Sequence, residues 1–253
     1  MKINFTKKEI ISLLISALVL GIVFGFDDGR DVFVLRLWFT DYMLMSCLGL
    51  IALTVMVLGH KWAAARYSSK AEYNIWGITR FGFKQSQYLR KNFLLKRIPL
   101  GIILPLIVAI FTEGKIWFAA VGMMITSAMH EHRIGRKWIH VPDYEEARIA
   151  FAGPIATMIF MIVLGLIFEN VGLEIWKKLI MVNTALLISS MVPFPQLSGG
   201  RMLFTSLYFF VFTLTLAVMI GLLVLFVPTI PALISALILA VLATAIVYFK
   251  REV

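Results

Sequence analysis

Apolar residues gather into six long runs divided by short polar breaks: Ile10–Phe26, Met43–Gly59, Ile149–Phe168, Leu179–Pro195, Phe204–Val227 and Ile230–Phe249. Roughly 18 or more uncharged apolar residues are enough for one helix to cross a bilayer. Each run meets or approaches that length, so each predicts a membrane helix. Two further runs, Ile98–Phe111 and Ile116–Met129, are shorter and are split by Thr112-Glu113-Gly114-Lys115. They predict a tight hairpin of two short helices or a re-entrant loop, and either returns the chain to the side it left. The expected fold is an all-α polytopic membrane protein with about six to eight transmembrane segments. Residues 1–253 form one integral membrane domain, with C-terminal helices over 204–249.

Between the runs the polar segments are not featureless. Ala71-Glu72-Tyr73-Asn74-Ile75-Trp76-Gly77-Ile78 alternates enough to predict a short strand or an interfacial stretch. Lys84–Arg97 mixes Tyr, Phe and Leu with Lys and Arg, which fits either an amphipathic segment on an anionic leaflet or a plain basic loop. No repeat or soluble domain stands out.

Composition sharpens the class. Hydrophobic residues make up 60% of the 253 and charged residues 15%, far from a soluble domain's usual balance of about 25% charged. The net charge of +10 would fit nucleic acid in a soluble protein. Here basic loops retained on the cytoplasmic face explain it, so the lipid bilayer is the expected partner and nucleic acid is not. With the amino terminus inside, all of the 24 Lys and Arg except Arg30, Arg36, Lys115, Lys177 and Lys178 fall on the inner side. That bias predicts a multi-pass protein of the cell membrane with both termini in the cytoplasm. No small-residue cleavage site follows the first run, which is read as a retained helix. A single cysteine, Cys47, allows neither an intrachain disulfide nor a cysteine-based zinc knuckle.

Three stretches carry candidate chemistry. Met56 and His60 are four apart and share one face of a helix. Two histidines at that spacing would chelate zinc, with a glutamate after the first as base. Here a thioether, a poor ligand for divalent zinc, and the inert Val57 occupy those places. Ser190-Met191-Val192-Pro193-Phe194-Pro195-Gln196-Leu197-Ser198-Gly199-Gly200-Arg201 breaks a helix with Pro193 and Pro195, then allows close backbone approach at Gly199 and Gly200. It reads as an interhelical loop or as the edge of a polar cavity at membrane depth. Ala152-Gly153-Pro154-Ile155-Ala156 places small residues early in a span, where helices can pack closely.

In this order the three resemble the site-2 protease family of intramembrane zinc metalloproteases, particularly its compact prokaryotic and archaeal members. The matching landmarks are Gly59-His60-Lys61 through Ala65-Arg66-Tyr67 to Ala71-Glu72-Tyr73 and Trp76, then Ala147–Ala156, then Pro193-Phe194-Pro195 with Leu197–Arg201. They span about residues 40–205, the expected site-2-protease-like core. The resemblance implies zinc held by two histidines and an aspartate, and a glutamate that activates the bound water. At those positions this chain has Met56, His60 and Ser198 as ligands and Val57 as base. Ser190 stands where an asparagine is usual. Gly153, Pro154, Pro193, Pro195, Gly199 and Gly200 keep the frame.

The resulting expectation is a pseudoprotease with a degenerate zinc site and no cofactor, which binds a partner's transmembrane segment in the old substrate groove. An alternative is active intramembrane proteolysis with zinc held by relocated ligands. The chain's other histidines are His130, His132 and His140. His130 and His132 could chelate from one face of a strand, with Glu131 or Glu72 as base. A small transporter or channel is a third class. No Asp or Glu interrupts any of the six runs, so the chain is expected to bury no ionisable group, which disfavours coupled ion transport.

Overall fold

The computed structural model describes residues 4–27, 34–77, 98–128 and 143–252. The Lys84–Arg97 segment and His130, Glu131, His132 and His140 lie outside the described residues. The described elements are, in order, α1 (Lys7–Phe24), α2 (Leu35–Arg66), β1 (Ser69–Ile75), α3 (Leu100–Phe111), β2 (Gly122–Ala128), α4 (Asp143–Val171), α5 (Glu174–Ser190), α6 (Ser198–Thr205), α7 (Leu207–Phe226) and α8 (Thr229–Glu252).

Each long apolar run forms a helix. Four of these helices, α2, α4, α7 and α8, are long and apolar enough to cross a membrane. With its 32 residues α2 extends about 48 Å, well past both ends of the run Met43–Gly59. It carries Arg36 and Asp41 at one end and Lys61 and Arg66 at the other. Helix α1 opens with Lys7, Lys8 and Glu9, and α5 has 17 residues.

Small side chains determine where these helices meet. A Cβ on Gly59 would fall 2.5 Å from Ala156 Cβ and 2.6 Å from the Ala152 carbonyl oxygen. The α2 backbone therefore lies directly on the Ala152–Ala156 stretch of α4, a contact that removes any need for large interdigitating side chains. Helix α8 presents Ala232, Ala236 and Ala240, all fully buried, at four-residue spacing, and α7 is its main neighbour. The first turn of α8 is held by Glu169, whose carboxylate accepts from both the backbone N–H and the hydroxyl of Thr229.

A two-stranded antiparallel sheet interrupts the helices. Ser69 pairs with Ala128 and Ile75 with Gly122. The strand at β1 agrees with the alternation around Ala71–Ile78. The helical option for Ile116–Met129 is overturned, because residues 122–128 form β2 instead. The cause is a tertiary pairing: β1 offers a row of backbone donors and acceptors, and pairing them with β2 removes a cost that is severe away from water. The pairing continues through Trp76, whose N–H donates to the Val121 carbonyl and whose carbonyl accepts from Gly101 N–H at 3.0 Å. The chain thus leaves at Ser69, runs out along β1 and α3, and returns beside its own starting point at Ala128.

The expectation of no buried ionisable group is also overturned. Glu9 is 1% exposed and Lys61 8%, one residue outside the first apolar run and two residues beyond the second. Their charges pair at 2.9 Å. Lys61 also donates to the Asn4 carbonyl, and Glu9 accepts from the backbone N–H groups of Thr6 and Tyr73. This cluster ties the start of α1, the end of α2 and the outer edge of β1 together. Burial alone would raise the Glu9 carboxyl, but the bonds from Thr6, Lys61 and Tyr73 outweigh it and hold it below its ordinary value of 4.5.

Candidate functional site

Beside this clamp, α2, α4, α5, α6 and the stretch leading into β2 enclose a small cavity of about 30 Å³, close to the volume of a single water. Its wall includes Met56, Val57 and His60 from α2, Ser190 from α5, Ser198 and Arg201 from α6, and residues 119–124.

His60 is 2% exposed and is fixed by one bond, Nδ1 to the carbonyl of Ile149 at 2.7 Å. A carbonyl can only accept, so Nδ1 carries the hydrogen, and in the neutral ring Nε2 holds the free lone pair. Outer partners of this kind orient metal-binding histidines. Gly153 makes room for the ring: a Cβ there would lie 2.1 Å from Nε2. The following Pro154 supplies no N–H, so the α4 backbone next to the imidazole is partly freed from its own ladder.

The other positions are less reactive. Met56 is half-buried one turn before His60, and Val57 is fully buried. The Ser190 hydroxyl donates to the Leu187 carbonyl at 2.7 Å. Ser198 begins α6, half-buried. Pro193 and Pro195 are exposed in the turn before it, while Gln196, Leu197 and Ser198 reach the cavity. A Cβ on Gly199 would lie 2.1 Å from the Met191 carbonyl oxygen, so only glycine lets α6 start this close to the end of α5. Glu72 is exposed on the face of β1 opposite Tyr73 and does not border the cavity. The relocated set His130, Glu131 and His132 lies outside the described residues. Among the described residues no group of three His, Cys, Asp or Glu side chains could hold a metal.

Sequence reasoning passed over two residues that shape this place. Arg201 donates to the Met124 carbonyl and pairs with Glu146 at 3.0 Å, joining α6 to β2 and α4. Gln196 has a buried side-chain oxygen without a hydrogen-bond partner among the described residues, an arrangement that is costly unless something donates to it. Both residues, with Met123, are shared between the cavity and a polar cleft of about 550 Å³ that also borders Thr126, Asp143 and Glu146. Arg201 belonged to a recognised motif, yet nothing in its spacing announced a partner as distant as Glu146.

No family model, no curated protein and no solved structure matches the chain.

Proposed function

We propose that the chain is a site-2-protease-like protein of the cell membrane that has lost zinc and peptidase activity and holds a partner's transmembrane segment as a scaffold or regulator. One observation carries this reading. Met56, Val57, His60, Ser190 and Ser198 come from three helices and line a single cavity. They are the five positions at which the resemblance puts two histidines, a glutamate, an asparagine and an aspartate. That positions scattered along residues 56–198 meet at one cavity supports reading the motifs as parts of one site.

The chemistry of those residues supports the loss of activity. Catalytic zinc uses three protein ligands and keeps one position for water. Among the described residues the cavity wall offers one imidazole and no carboxylate, and Val57 can neither take nor give a proton. The frame around the lost donors is intact, with Gly153 seating His60 and Gly199 seating α6, which favours a structure kept for binding.

The membrane arrangement follows from the same elements. Helices α1 and α5 join α2, α4, α7 and α8 as crossings, and the excursion between Ser69 and Ala128 adds none. An even number of crossings keeps both termini on the basic, cytoplasmic side.

Metal analysis of the purified protein tests the reading. The zinc content is expected to be far below one per chain, with no cleavage of a model membrane-helix substrate. Stoichiometric zinc that disappears in His60→Ala, or cleavage that disappears with it, would refute the loss of catalysis. Photo-crosslinking from Phe204, exposed beside the polar cleft, is expected to capture a membrane segment of another protein. Capture of lipid alone would refute the scaffold role.

A further inference from the structure

We propose that the His60 cavity is a binding site for copper(I), held by Nε2 of His60 and the thioether sulfurs of Met56 and Met124. The inference goes beyond the partner-binding reading and does not rest on it, and it replaces the expectation of no metal with one of a different metal.

The geometry of the imidazole comes first. A Cβ on Gly153 would be 2.1 Å from Nε2 and 2.5 Å from each of the two carbons that flank it. A point so nearly equidistant from all three stands over the face of the ring, not in its plane. The ring therefore lies flat on α4, and Gly153 does not block the in-plane lone pair of Nε2. The bond from Nδ1 to Ile149 fixes that orientation.

The sulfurs come from two elements. Met56 precedes His60 by one helical turn on the same face of α2. Met124 is paired with Tyr73 in the sheet register, and both are buried and border the cavity.

Donor chemistry selects the ion. Thioethers suit copper(I) and are poor ligands for zinc(II). A divalent ion would bring two charges into a wall that holds no carboxylate among the described residues, and uncompensated buried charge is expensive. Copper(I) brings one. The nearby cation, Arg201, is already paired with Glu146 at 3.0 Å. A space of about 30 Å³ is ample for a bare ion. The adjoining cleft, with Asp143 and Glu146 on its wall, shares Met123, Gln196 and Arg201 with the cavity.

Full-length protein purified in detergent, titrated anaerobically with copper(I) against bicinchoninate, is expected to take up one equivalent. Met56→Leu and Met124→Leu conserve volume. Each is expected to weaken uptake at least about tenfold, the lower end of what even outer-shell changes cost at metal sites. His60→Ala is expected to abolish uptake, while Met158→Leu, a buried α4 methionine away from the cavity, leaves it unchanged. Melting temperatures measured without metal separate misfolding from lost ligation. Absence of uptake by the wild type, wild-type affinity in both methionine variants, or an equal loss in Met158→Leu overturns the proposal. So does one-for-one displacement by zinc(II), which would also count against the loss of the zinc site.

Discussion

Replacing Gly153 by alanine is expected to destabilise the protein strongly. The new Cβ would stand 2.1 Å from Nε2 of His60, and neither neighbour can step aside cheaply. The imidazole is tethered to the Ile149 carbonyl and fully enclosed. The α4 backbone is stiffened by Pro154 and pressed against Gly59. Overpacking a core typically costs about 1–3 kcal/mol and sometimes more; the upper end is expected here. Thermal unfolding in detergent reads the loss. The double variant Gly153→Ala/His60→Ala should regain part of it, because the second change removes the ring that the methyl strikes. Strictly additive effects would mean that the clash is not with His60.

Lys61→Ala carries the second large effect. It leaves the Glu9 carboxylate buried without its cation, and breaking a buried pair by removing one partner costs about 3–5 kcal/mol. Joint replacement by Glu9→Gln and Lys61→Met should be far milder, since no charge is stranded. A pH dependence follows from the same cluster. Glu9 is held below 4.5 in the folded protein. The stability it contributes is therefore present above the unfolded value and lost as pH falls through the folded one. Acidification below about pH 4.5 is expected to loosen α1 from β1, read by amide exchange at Tyr73, and Glu9→Gln should flatten that response. An unchanged pH profile in Glu9→Gln would assign the acid sensitivity elsewhere.

The sequence made some parts of this molecule legible and hid others for identifiable reasons. Long apolar runs read as helices because period and length agree. The α2 helix runs past its apolar stretch because hydropathy stops at Arg36, Asp41 and Lys61, whereas a backbone ladder tolerates charge near its ends. Strand β2 was concealed because residues 116–129 are apolar almost throughout, and a short uniform run has no period to separate strand from helix. Its partner β1 alternates, with Lys70 and Glu72 exposed between Ser69, Ala71 and Tyr73, and was readable. The pairing of Glu9 with Lys61 was hidden by position, since both flank apolar runs and look like ordinary interfacial charges. The Thr6–Glu9 capping box marks Glu9 as the start of a helix, but not its burial 52 residues away against Lys61. At the candidate site the positions Met56, His60 and Ser198 were legible as a set. The roles of Gln196 and Arg201 depend on tertiary neighbours and were not.

The register that joins Ser69 to Ala128 also uncouples two things a designer would want to vary separately. In the proposed arrangement the stretch between those residues adds no crossing, so an epitope inserted at the Glu113–Gly114 tip is expected to lengthen it without reversing the heading of any later helix. In the proposed six-crossing arrangement deleting α1 has the opposite consequence, because it would remove one traverse and change the parity of every segment after it.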